Sequence, residues 1–103
     1  MSEVDIEAIM AGLPEAIWIP SPGSSALPKV YRGSPVEIVE AMASKAKPKK
    51  RTVRSAVKYL VMSIAKTRKV EIHLPGGLDE DELAGLFVFA LLDTGLGKPL
   101  PQA

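Results

Sequence analysis

The sequence contains no cysteine. Without thiols the chain can form neither a disulfide nor a thiolate metal site, and it lacks a cysteine nucleophile. Its single histidine, His73, has no second histidine or cysteine with which to share a zinc ion, so we expect no metal site and no cofactor. No nucleophile–base pair or phosphate-binding loop is evident. We therefore expect that the protein is not an enzyme.

Aromatic residues and long apolar runs are also scarce. Only 5% of the residues are aromatic, so aliphatic side chains and methionine must fill the core. The most apolar stretch, residues 83–92, is too short to cross a bilayer, and we expect no membrane span. The first five residues include two acids, Glu3 and Asp5, and no base, whereas a secretory signal begins with a basic segment followed by an apolar run. We expect a cytoplasmic protein.

The composition is that of one folded domain. The chain has 103 residues, of which 47% are hydrophobic. That content is enough to bury a modest core and differs from the composition of disordered chains. We predict a single globular domain over residues 1–97, followed by a loose C-terminal tail over residues 98–103.

Local patterns predict the order of helices and strands. Ser34-Pro35-Val36-Glu37 is a capping box that predicts the start of a helix running to about Ala46. Apolar spacing and capping residues predict further helices over residues 2–12, 52–67 and 79–93. Short apolar or alternating runs predict strands over residues 16–19, 29–32 and 70–74. The predicted fold class is α+β, with about four helices and a short sheet of two or three strands.

Charge is sorted along the chain, although the net charge is only +1. Ten of the 13 basic residues lie in the basic block, which we define as residues 45–69, and no acid occurs between Glu40 and Glu71. So many cations without an acid repel one another, and an anionic partner would relieve that repulsion. The candidate contacts are Lys47, Lys49, Lys50, Arg51, Thr52, Arg54, Ser55, Lys58, Lys66, Arg68 and Lys69.

A resemblance adds a specific hypothesis. Residues 52–60, TVRSAVKYL, resemble the recognition helix of helix-turn-helix and winged-helix DNA-binding domains, and residues 37–42 resemble the helix that precedes it. The resemblance covers only residues 37–60, with a connection about four residues longer than the usual tight turn. It implies that Thr52, Arg54, Ser55 and Lys58 face the major groove, with Lys49, Lys50 and Arg51 near phosphates. We expect a nucleic-acid-binding domain, with DNA as its nucleic acid.

A second hypothesis concerns self-association and an acidic protein partner. The segment 83–92 is apolar nearly all round, which is typical of a helix that is central in the fold or buried in a dimer interface. Under the dimer alternative, the basic face docks an acidic protein and the chain acts as an adaptor. The expected interface residues are then Leu83, Leu86, Phe87, Phe89, Ala90 and Leu91.

Overall fold

The computed structural model describes residues 5–19, 29–44, 52–68 and 70–100. Within these ranges the chain forms four helices and one antiparallel three-stranded sheet, which confirms the predicted α+β class. In chain order the elements are α1 (Ile6–Ala11), β1 (Ala16–Ile19), β2 (Lys29–Arg32), α2 (Pro35–Ser44), α3 (Val53–Arg68), α4 (Glu80–Asp93) and β3 (Lys98–Pro99).

Reciprocal side-chain caps begin α2 and α4 where the sequence predicts. The Ser34 N–H donates to Glu37 Oε1 at 3.0 Å, and the Glu37 N–H donates to Ser34 Oγ at 3.3 Å. The hydrogen bonds donated by the Ser34 backbone and side chain hold the pKa of the Glu37 carboxyl below its usual range. Asp79 and Glu82 form the same capping box at α4. These two predicted starts are confirmed.

The observed cap of α1 is Asp5, and two other predicted helix boundaries fall on residues that are not described. The first helix begins at Ile6, and Asp5 caps it by accepting a hydrogen bond from the Ala8 N–H at 3.1 Å. The predicted cap at Ser2 and the predicted end of α2 near Ala46 both lie outside the described residues.

Helix α4 is the centre of the core. Ala84, Phe87 and Val88 are fully buried, and α1, α2, α3 and β3 all contact this helix. Of the two alternatives for an all-round apolar helix, the structure shows the one in which the helix is central in the fold.

The sheet corrects two predictions. Its strand order is β2-β1-β3, with Ile17 opposite Tyr31 on one side and opposite Pro99 on the other. The third strand is thus β3, and residues 70–74 form no strand in the described chain. The loose tail was predicted to begin at Lys98, but β3 begins there.

Contacts with β1 explain why this part of the tail is ordered. The Leu100 N–H donates to the Ala16 carbonyl oxygen at 3.3 Å, and Lys98 Nζ lies 5.7 Å from the centre of the Trp18 ring. Residues 101–103 of the predicted tail lie outside the described residues.

The packing of α1 on α4 depends on Gly85. A Cβ atom at this position would overlap Met10 Sδ and lie 2.9 Å from Met10 Cε. Gly85 is buried in the middle of α4, where glycine costs helix stability relative to alanine. The atoms in the way are the flexible end of the Met10 side chain, so a Cβ at position 85 requires that side chain to move.

We predict that the effect of Gly85→Ala depends on Met10. In a Met10→Ala background the overlap is gone, so Gly85→Ala should raise the free energy of unfolding by about 1 kcal/mol through helix propensity. With Met10 present, overpacking costs roughly 1–3 kcal/mol and should cancel or reverse that gain. Urea unfolding of the four proteins of this double-mutant cycle measures the difference. An equal effect in both backgrounds would contradict the contact.

Candidate nucleic-acid interface

Helix α3 turns one face to the core and the other to solvent. Val53, Ala56, Val57 and Leu60 are buried, which confirms the first part of the predicted apolar stripe. We define the outward face of α3 by its exposed residues Arg54, Ser55, Lys58, Tyr59, Met62 and Lys66. The helix carries no acidic residue, so this face has only positive formal charge.

The first turn of α3 uses two of the predicted contact residues as a cap. The Ser55 N–H donates to Thr52 Oγ1 at 3.1 Å, and the Ser55 hydroxyl donates to the Thr52 carbonyl oxygen at 3.0 Å. The Thr52 hydroxyl in turn donates to Ser55 Oγ at 3.2 Å. Both hydroxyls therefore satisfy backbone groups at the helix start, as expected of an N-cap.

Arg54, also a predicted contact, is tied to another part of the fold. Its guanidinium donates to the Leu78 carbonyl oxygen at 2.6 Å, just before the cap of α4. This bond joins the start of α3 to the start of α4. The sequence offers no signal for it, because the acceptor is a backbone atom 24 residues away.

Lys58 and Lys66 are the most available of the predicted cations in the described chain. Both are exposed on the outward face of α3, and neither has an ion pair or hydrogen bond among the described residues. Arg68 is half-buried at the end of the helix. The remaining predicted contacts, Lys47, Lys49, Lys50, Arg51 and Lys69, lie outside the described residues.

The described part of α2 ends at Ser44, and α3 begins at Val53. Residues 45–51, which include the predicted turn between the two helices, lie outside the described residues. Comparison with protein-family models, curated proteins and solved structures finds no match. The resemblance to helix-turn-helix domains stays a prediction.

A shallow apolar groove borders the outward face of α3. It encloses about 260 Å³, and Arg54, Lys58 and Met62 contribute to its walls. Its remaining lining residues are Val57, Val61, Ile72, Leu74, Pro75 and Leu83. Met62 is 65% exposed at the side of this groove. Sequence periodicity did not reveal this groove, because its second wall comes from residues beyond α3.

A smaller cavity of about 220 Å³ lies near the other end of α3. Ser63, Thr67 and Arg68 line it from the helix, and Tyr31 lines it from β2. Burial raises the pKa of the Tyr31 hydroxyl, because the charged phenolate loses hydration there. The Thr67 hydroxyl donates to the Ser63 carbonyl oxygen at 2.7 Å. Aliphatic side chains supply the rest of this cavity.

Most of the residues predicted for a dimer interface on α4 lie in the core of a single chain. Leu83, Leu86, Phe87 and Leu91 are buried within one chain, each no more than 7% exposed, because the other helices and β3 already cover α4. They offer no surface to a second copy. Of the six predicted residues, Phe89 is 40% exposed and Ala90 is half-buried.

His73 stands apart from any cluster of metal ligands. Its Nε2 lies 3.3 Å from Glu71 Oε2, and both side chains are largely exposed. Among the described residues, no group of three or more His, Asp or Glu side chains is placed to hold a metal ion. In the same part of the chain, no helix is long and apolar enough to span a membrane.

We predict different stability effects for two cations of the outward face. Arg54→Ala should lower the free energy of unfolding by roughly 1 kcal/mol, because it removes a charge-assisted hydrogen bond to Leu78. Lys58→Ala, one turn along the same helix, should change it by less than about 0.5 kcal/mol. Urea unfolding compares the two variants, which remove the same charge. Equal effects would show that the Arg54 bond adds nothing to stability.

Proposed function

We propose that this chain is a non-enzymatic nucleic-acid-binding module that contacts duplex DNA through the outward face of α3 and the lysine-rich residues 45–51. The observation that carries the proposal is the exposure of Lys58 and Lys66 on a helix without acids. Lysines held on a rigid helix suit a phosphate backbone, because each one that contacts a phosphate displaces condensed counterions.

The spacing of these cations suits a groove edge. Lys58 and Lys66 are eight positions apart, which corresponds to roughly 12 Å along a helix that rises 1.5 Å per residue. Duplex DNA carries one charge per about 1.7 Å of its axis, so both lysines would meet phosphates without distortion of the protein. The sequence continues this charge before α3 with Lys49, Lys50 and Arg51.

The bonds at the start of α3 favour binding with little sequence preference. Thr52 and Ser55 cap the helix, and Arg54 bonds to Leu78. Reading bases with these side chains would require breaking the bonds that stabilise the fold. Phosphate contacts by lysine carry no such cost, and they position a protein on DNA without reading its sequence. We therefore propose that contacts to the DNA phosphate backbone dominate the free energy of binding.

The test is the salt dependence of binding to a short DNA duplex, measured by fluorescence anisotropy. The wild-type chain should bind at low salt and weaken steeply between about 50 and 200 mM salt. The double variant Lys58→Gln with Lys66→Gln should flatten the slope of log K against log salt by about 2, since each lost phosphate contact removes about 0.9.

The matched control removes the same charge elsewhere. Arg32 lies on β2 and Lys98 on β3, and both are exposed. Arg32→Gln with Lys98→Gln should leave the slope unchanged. Absence of binding at low salt, salt-independent binding, or equal slopes for the two double variants would each overturn the proposal.

A second candidate function is the docking of an acidic protein on the same face. The apolar groove between α3 and residues 72–75 favours it, because Arg54 and Lys58 border apolar walls and Met62 is exposed. An acidic amphipathic segment would match both features. This candidate predicts that Met62→Gln, which changes no charge, strongly weakens partner binding, whereas phosphate-dominated DNA binding needs only the neighbouring lysines and should not change.

A further inference from the structure

Residues 70–74, which we call the edge segment, have the exposure pattern of a strand without being in a sheet. Ile72 is 8% exposed, whereas Glu71 and His73 on either side of it are largely exposed. The Glu71 and His73 side chains meet at 3.3 Å. Residues two apart share a face only in extended backbone, so the edge segment is extended with its apolar side chains facing the protein.

The backbone of the edge segment is unpaired. Among the described residues, no backbone or side-chain group hydrogen-bonds to the backbone N–H or C=O groups of residues 70–75. An extended segment with free polar groups is a template for another strand. Proteins shield such edges with prolines, charges or a covering element. Here Pro75 limits the segment at its end, and Glu71 and His73 are the exposed polar side chains along it.

We propose that the edge segment pairs with the same segment of a second copy as an antiparallel two-stranded ribbon centred on Ile72. In this register Glu71 lies opposite His73 of the second copy, and Val70 lies opposite Leu74. Both chains place their apolar side chains on one face of the ribbon, where the two domains lie. The charged side chains occupy the other, solvent-facing side.

The pairing of Glu71 with His73 favours the antiparallel orientation over the parallel one. Antiparallel pairing about Ile72 gives two Glu–His cross-strand pairs, in which the imidazole donates and the carboxylate accepts. Parallel pairing in register would place Glu71 opposite Glu71, and like charges directly opposite one another are destabilising. The antiparallel arrangement has two-fold symmetry and is closed, so it produces a dimer and not a filament. It leaves the proposed nucleic-acid contacts Lys58 and Lys66 outside the ribbon, and it does not depend on them.

Cysteine crosslinking tests the register, and the cysteine-free sequence gives a clean background. Under mild oxidation, a mixture of Glu71→Cys and His73→Cys chains should form the mixed disulfide in large excess over either symmetric one. Residues directly opposite one another have Cβ atoms about 5 Å apart, whereas the diagonal partners are about 7–8 Å apart. Random proportions of the three crosslinked species, or no crosslinking, would overturn the proposed pairing.

Sedimentation equilibrium over a wide concentration range tests the dimer itself. His73→Glu creates two Glu–Glu pairs and should weaken dimerisation by roughly tenfold. Glu71→His combined with His73→Glu restores both pairs and should recover the wild-type dissociation constant. Both positions are exposed, so neither change disturbs the core. A wild-type chain that stays monomeric at millimolar concentration, or a swapped variant no better than His73→Glu, would refute the proposal.

Discussion

Helix α4 has no polar face along its apolar segment, and the other elements are arranged to cover it. Ala84, Phe87 and Val88 are fully buried, and the helices α1, α2 and α3 contribute the apolar surface that covers them. The approach of α1 is close enough that Gly85 replaces a better helix former. Because α4 is covered except at a few positions such as Phe89, which is 40% exposed, most apolar surface for a partner must come from elsewhere, such as the groove beside α3.

The sequence predicted the features that depend on neighbouring residues. The predicted capping box at Ser34 and the predicted helix start at Asp79 depend on residues three positions apart, and both are present. The buried stripe that begins at Val53 follows helical spacing, and it faces the core. In each case the short-range pattern is also the one that the tertiary structure favours.

Features that depend on distant residues were not predictable in the same way. The bond from Arg54 to the Leu78 carbonyl joins two helix starts and leaves no trace in either local sequence. It also changes the chemistry expected of the candidate interface, because a residue first assigned to a DNA base has a structural partner. The hydroxyls of Thr52 and Ser55 are likewise engaged in the helix cap. The exposed lysines are therefore better candidates for DNA contact than the side chains first assigned to bases.

The sheet shows the same distinction between features set by neighbouring residues and features set by distant ones. The alternation in residues 70–74 matches the alternating exposure of their side chains, but it contains no information about which strand lies alongside. Strand pairing depends on hydrogen-bond partners far away in sequence, and at β1 one edge is taken by β2 and the other by β3. The edge segment thus keeps the form of a strand after both edges of the central strand are filled. Its backbone groups have no partner among the described residues, and its two exposed polar side chains, Glu71 and His73, are complementary in charge and hydrogen bonding. These are the physical reasons to seek its partner in another molecule.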